Sequence, residues 1–116
     1  MQPDERDYAY LWDMLDAAQT IRAFTINVTV NQYMHDRKLQ LAVERLVEII
    51  GEAARNVSEP FKQSHPEILW KGIIGQRHVL AHEYGEIKQE RMWAIVSVHI
   101  PELISKLVPL VPAEEG

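Results

Sequence analysis

Arg77, His78, His82 and Tyr84 fall within the single stretch GQRHVLAHEYG, residues 75–85. A guanidinium can hold a phosphate through a forked pair of hydrogen bonds. An imidazole can move a proton near neutral pH. On a helix turning about 100° per residue, Arg77 and Tyr84 lie almost in line, and His78 and His82 share a neighbouring line. Arg77 and His82 are separated by roughly 140° on an ideal helix, a gap that the long arginine stem bridges. Gly85 directly after Tyr84 is a natural helix stop.

Three readings of these residues stand side by side. In the first, the histidines are surface or core residues and Arg77 pairs with a glutamate. In the second, His78 and His82 form an i, i+4 metal pair completed by Glu83, His35, His65 or His99. Val79 stands where a zinc protease would place its glutamate, so that chemistry is excluded, and no metal is expected at the site. The third is metal-free cleavage of a phosphodiester, with Arg77 and His82 as the working pair. No glycine-rich phosphate loop is present, and the serines lack convincing His/Asp partners for nucleophilic catalysis.

Helices must position these groups. From Tyr8, the series Leu11, Leu15, Ala18, Ile21 and Thr25 keeps one helical stripe, with Trp12 and Met14 at its edges. Asp4 is a candidate cap, Asp7, Asp13 and Asp16 suit the dipole of the first half, and the helix ends near FTINVTV. Thr29-Val30-Asn31-Gln32 fits a capping box opening a short helical turn. A second long helix starts near Asp36 and carries Leu39, Ala42, Val43, Leu46, Ile49, Ile50, Ala53 and Val57 inward. Glu44, Arg45, Glu48, Glu52 and Arg55 face elsewhere. Its Gly51 implies close approach of a neighbouring helix.

Pro60 and Pro66 each suit the first residue of a helix. A third long helix then runs from Ile68 or Trp70 to Glu83 or Tyr84. The last runs from Lys88 through Trp93, Val96, Ile100, Leu103 and Leu107, kinked by Pro101. Trp12, Trp70 and Trp93 are read as core or interface anchors. The expectation is an all-α, up-and-down bundle of four long helices with short connecting helices, a single domain over 1–112 with a frayed acidic tail at 113–116. Helices this amphipathic in so small a domain are expected to finish their core by forming a homodimer.

Composition bounds the rest. The 116 residues carry a net charge of −5 and no cysteine, which disfavours broad electrostatic attraction to nucleic acid and leaves no thiolate metal site. The polar start shows no secretory signal, and the apolar runs are too short for a membrane span, so a cytoplasmic protein without membrane contact is expected. Any contact with RNA must use a local basic patch.

Arg77, four residues, His82, one residue, Tyr84 resembles the signature of HEPN-domain proteins, specifically the HepT-like toxins of toxin–antitoxin pairs. DRKLQLAVERLVEIIGEAARNVSE (36–59) resembles that family's second long helix, HPEILWKGIIGQRHVLAHEYGEI (65–87) its motif helix with lead-in, and WAIVSVHIPELISKLV (93–108) its last helix. The resemblance covers nearly the whole chain. It implies a dimer that brings two motifs to a shared cleft and a metal-independent, cofactor-free ribonuclease acting as the toxin of a type VII-like system. Arg77 and His82 are implied as the catalytic pair and His78 as a substrate-orienting residue. Tyr84 is implied as the site of AMP addition by a cognate minimal nucleotidyltransferase antitoxin. Gly85 makes the loop after Tyr84 one residue shorter than the family pattern. The alternative is a non-catalytic helical module that docks with a nucleotidyltransferase or binds nucleotide.

Overall fold

The computed structural model describes residues 5–82 and 88–112, the side chains of 77–82 excepted. Every regular element among them is helical: α1 (Glu5–Thr25), α2 (Val30–Met34), α3 (Arg37–Asn56), α4 (Glu59–Ser64), α5 (Trp70–His82), α6 (Gln89–Ala94) and α7 (Ile100–Leu107). A π-helical turn at Ile95–His99 joins α6 to α7, and a 3₁₀ turn at Val108–Leu110 follows. The expected all-α bundle is therefore present, its four long members being α1, α3, α5 and the continuous α6–π–α7 unit. The proposed Asp4 cap, Gly85 and the acidic tail lie outside the described residues.

Local chemistry sets the boundaries. Asn27 adopts a left-handed φ of 65°, a conformation that asparagine tolerates, and turns the chain out of α1. The Thr29 side chain accepts from the Gln32 N–H at 3.1 Å while the Thr29 N–H donates to Gln32 Oε1 at 2.9 Å, completing the expected capping box of α2. Asp36 caps α3 by accepting from the Leu39 N–H at 3.0 Å.

The stripes then meet. α1 packs on α3, α3 on α5 and α1 on α7, around fully buried Leu11, Met14, Ile21, Val43, Phe61 and Leu107. Burying each such side chain contributes about 1.5–3 kcal/mol. Gly51 is buried in α3.

Several expectations need correction. Trp12 is 40% exposed, because it follows Leu11 and is turned about 100° off the buried stripe, so of the core-or-interface reading the core half does not apply to it. Trp70 is buried and Trp93 half-buried. Pro66 begins no helix: the Ile68 N–H and the Trp70 indole both donate to the His65 carbonyl, closing a turn, and α5 starts only at Trp70. Pro60 stands second in α4, behind the Ser58 cap. Asp7 stands in the first turn of α1, as expected, but is buried there, and its two oxygens accept from the Ser58 N–H at 2.8 Å and the Ser58 hydroxyl at 2.7 Å.

Pro101 produces a wide turn in place of a simple kink. The Ile100 N–H donates to the Ile95 carbonyl, five residues back, and proline supplies no N–H to continue the ladder. The short apolar runs also concealed one feature: Gln89–Leu110 is a 22-residue helical stretch long and apolar enough, by those two measures, to cross a membrane. Its Met92, Ile95, Val96, Ile100, Leu103, Ile104 and Leu107 are buried within the bundle, which accounts for its composition.

Candidate active-site end of the bundle

α5 carries the motif, and its start is firmly held. The buried Trp70 ring meets Phe61 edge-on at 6.3 Å, and its indole N–H donates to the His65 carbonyl at 3.0 Å. Val47 and Ile50 of α3 and Ile73 of α5 line one groove, so the helices run side by side at that level. Six positions after His82, where α5 ends, the described chain resumes at Lys88, and its neighbour Gln89 bonds Glu44 of α3.

The last two turns of α5 hold Arg77, His78 and His82 on one helix, as the spacing predicted. Their side chains, and the whole of Tyr84, lie outside the described residues. The helical backbone thus presents the three motif positions within about 8 Å of axis.

Around this end the described side chains form a connected polar network that the sequence reading missed. The Tyr33 hydroxyl, from α2, donates to Gln89 Oε1 of α6 at 2.9 Å. Gln89 Nε2 donates to Glu44 Oε2 of α3 at 2.9 Å. Arg37 Nη1 donates to the same Glu44 oxygen at 3.4 Å and to Gln40 Oε1 at 3.3 Å. Gln40 Nε2 in turn donates to the carbonyls of Tyr33 at 3.0 Å and Met34 at 3.2 Å. Three helices are tied by these bonds at the point where the chain re-enters after the motif.

Burial first, then the Glu44 carboxylate, pushes the Tyr33 phenol up to about 12, with Arg37 pulling weakly the other way. Its ring also packs on Trp93, centroids 5.1 Å apart. Glu44, which the periodicity placed on an outer face, has only 12% of its side chain exposed.

Two concavities lie elsewhere on the described surface. One, of about 240 Å³, is an apolar groove between α5 and the α6–π–α7 unit, floored by Val47 and Ile50. The other, of about 340 Å³, lies between α1 and α3 and gathers Asp13, Glu48 and Glu52 with Arg45. Burial first, then the charge of Asp16, raises the Asp13 carboxyl above its ordinary value. Among the described residues no group of three or more His, Asp or Glu side chains is placed to hold a metal ion.

Comparison with known proteins agrees with the motif. Residues 14–110 match the family model described as "Ribonuclease HepT-like". A protein of Methanocaldococcus jannaschii named "Putative RNase" is 36% identical over 108 residues, 93% of this chain and 89% of the relative. "Probable ribonuclease HepT" of Thermococcus cleftensis is 38% identical over 101 residues, 87% of this chain and 92% of the relative. No solved structure matches the chain significantly. With the motif on the last turns of α5 and the match spanning nearly every helix, the chain belongs to the HepT-like ribonuclease family.

Proposed function

We propose that this ribonuclease cuts RNA without a metal, using Arg77 and His82, and that it is the toxin of a type VII-like toxin–antitoxin pair. The observation that carries the reading is Arg77, His82 and Tyr84 at family spacing on and just after the motif helix. The RNA 2′-hydroxyl attacks the adjacent phosphorus, the bond to the 5′-oxygen breaks, and a 2′,3′-cyclic phosphate and a free 5′-hydroxyl result. His82 moves a proton in this exchange, a role worth typically ~10²–10⁴-fold. Arg77 stabilises the charge that builds on the phosphoryl oxygens. His78 orients the substrate strand.

Tyr84 is the proposed target of a nucleotidyltransferase antitoxin. An added AMP places a bulky anion beside Arg77, where it competes with substrate phosphate by charge and by volume. Such a pair operates in the cytoplasm.

The active form is proposed to be a homodimer. Gly72 and Gly75 cost α5 about 1 kcal/mol each relative to alanine. Yet among the described residues a Cβ built at either position meets no atom within 4 Å beyond its own helical turn. Leu69, one turn earlier, is 62% exposed beside them. A second copy packed closely on this face gives both glycines and the leucine a reason.

Purified protein should cleave RNA in EDTA, and Arg77→Ala and His82→Ala should not. Loss of cleavage on chelation, restored by added metal, overturns the mechanism. Tyr84→Phe should remain toxic when the transferase is coexpressed; full neutralisation of that variant would remove Tyr84 as the switch.

A further inference from the structure

We propose that Arg37 is a phosphate-binding residue for the RNA strand beyond the scissile position, held in place by Glu44 and Gln40. The inference rests on the reading above, in which the chemistry sits at the end of α5, and it adds to Arg77 a second cation, one that holds the strand away from the scissile phosphate.

Arg37 is an unusual surface arginine. About two-thirds of its side chain is exposed (66%), yet it is tethered through one terminal nitrogen, Nη1, to Glu44 and Gln40. Among the described residues its Nη2 and Nε donate to nothing, so the other edge of the guanidinium fork is free for a phosphate. Its tether is itself fixed, since Glu44 also accepts from Gln89 and Gln40 is locked on two α2 carbonyls. A planar donor already held in orientation loses less entropy on binding than a free lysine.

The surroundings favour a polyanion. Among the described side chains, residues 22–44 and 88–91 carry five cations (Arg22, Arg37, Lys38, Lys88, Arg91) against three carboxylates. Of those carboxylates Asp36 is engaged as a helix cap and Glu44 is mostly buried, leaving Glu90 exposed. His35 adds a further titratable group, its Nδ1 on the Asn31 carbonyl at 2.8 Å. The remaining described side chains carry six cations against nine carboxylates. In a chain of net charge −5 these segments thus carry an excess of cations over carboxylates, and RNA affinity rests heavily on phosphate contacts made by such cations.

The test uses a 2′-O-methylated single-stranded oligonucleotide, which cannot be opened by 2′-hydroxyl attack. Arg37→Ala should weaken its binding about tenfold at low salt and lower the slope of log affinity against log salt by about 0.7. Arg37→Lys should restore the slope and only part of the affinity, and Lys106→Ala, at the far end of the bundle, should change neither. In cleavage assays Arg37→Ala should raise KM for a long RNA while leaving a dinucleoside monophosphate, which has no flanking phosphate, unaffected. Wild-type affinity and slope in Arg37→Ala, an equal loss in Lys106→Ala, or equal damage on the dinucleotide would each overturn the proposal. Binding to the uncleavable strand is read independently of Arg77 and His82, so a failed cleavage mechanism and a failed Arg37 subsite give different results.

Discussion

The two ends of the bundle use buried polar groups in opposite ways. At the end where α1 begins, the Asp7 carboxylate is sealed against the Ser58 N–H and hydroxyl, and these bonds tie α1 to the cap of α4. Nearby, His65 bonds to Glu67 at 2.9 Å, a contact that first among several holds the Glu67 carboxyl below its usual value. At the motif end, Tyr33, Gln89 and Glu44 run outward through the protein and finish on an exposed guanidinium. A polar chain that closes on itself fixes the fold; one that ends in an exposed, oriented cation also prepares a surface for an anion.

The sharpest way to separate the two ends is by activity and stability together. His82→Ala and Arg77→Ala should lower cleavage by about 10²–10⁴-fold and leave the melting temperature unchanged. Asp7→Ala should do the reverse. Removing a buried acceptor of two hydrogen bonds costs about 2–3 kcal/mol, or about 10 °C in Tm, with cleavage per folded molecule preserved. Parallel losses of activity and stability in either class of variant would erase the distinction.

A smaller effect probes the motif-end network itself. Tyr33→Phe removes the hydroxyl bonded to Gln89 and should cost about 1 kcal/mol, read from denaturant unfolding. Because the folded phenol is pushed up to about 12, the native state keeps its proton after the unfolded chain, near pH ~10, has begun to lose it. Wild-type stability should therefore fall as pH rises through that window, and the Phe variant should lack this fall. An unchanged alkaline profile would show that the phenol is not buried as described.

The smallest effect lies in the acidic cleft. Asp13 has a raised folded value, so stability should decline as pH rises past the ordinary carboxylate range. Asp13→Asn should remove that decline and stabilise the protein at neutral pH by no more than about 0.5 kcal/mol. Destabilisation at neutral pH would mean that the carboxylate makes a favourable contact outweighing its burial.

The sequence carried the helical architecture because the signals were local. α3 begins beside Asp36 and Thr29 with Gln32 boxes α2, as expected, and Val43, Ile50, Ile100 and Leu103 are buried on the predicted stripes. What periodicity could not supply was pairing between distant residues. Asp7 and Ser58 are 51 positions apart, Tyr33 and Gln89 are 56, and neither pair has a sequence pattern of its own. Pro66 misled for a related reason: a proline fits a helix start and a tight turn equally well, and the His65 carbonyl decides for the turn. The motif residues stand out by type and spacing, whereas Arg37 looked like any surface arginine until Glu44 and Gln40 were seen to hold it.

The wide turn at Ile95–His99 has a bearing on the opposite end of its own helix. On an uninterrupted α-helix the inward faces leading into it (Met92 with Ile95 and Val96 at its start) and following it (Ile100, Leu103, Ile104, Leu107) would diverge by roughly 80°. One extra residue in the turn takes back about 100°, restoring a common direction. Excising a single residue there would leave α7 seated and swivel α6 like a key in a lock, carrying Gln89 away from Tyr33 and Glu44.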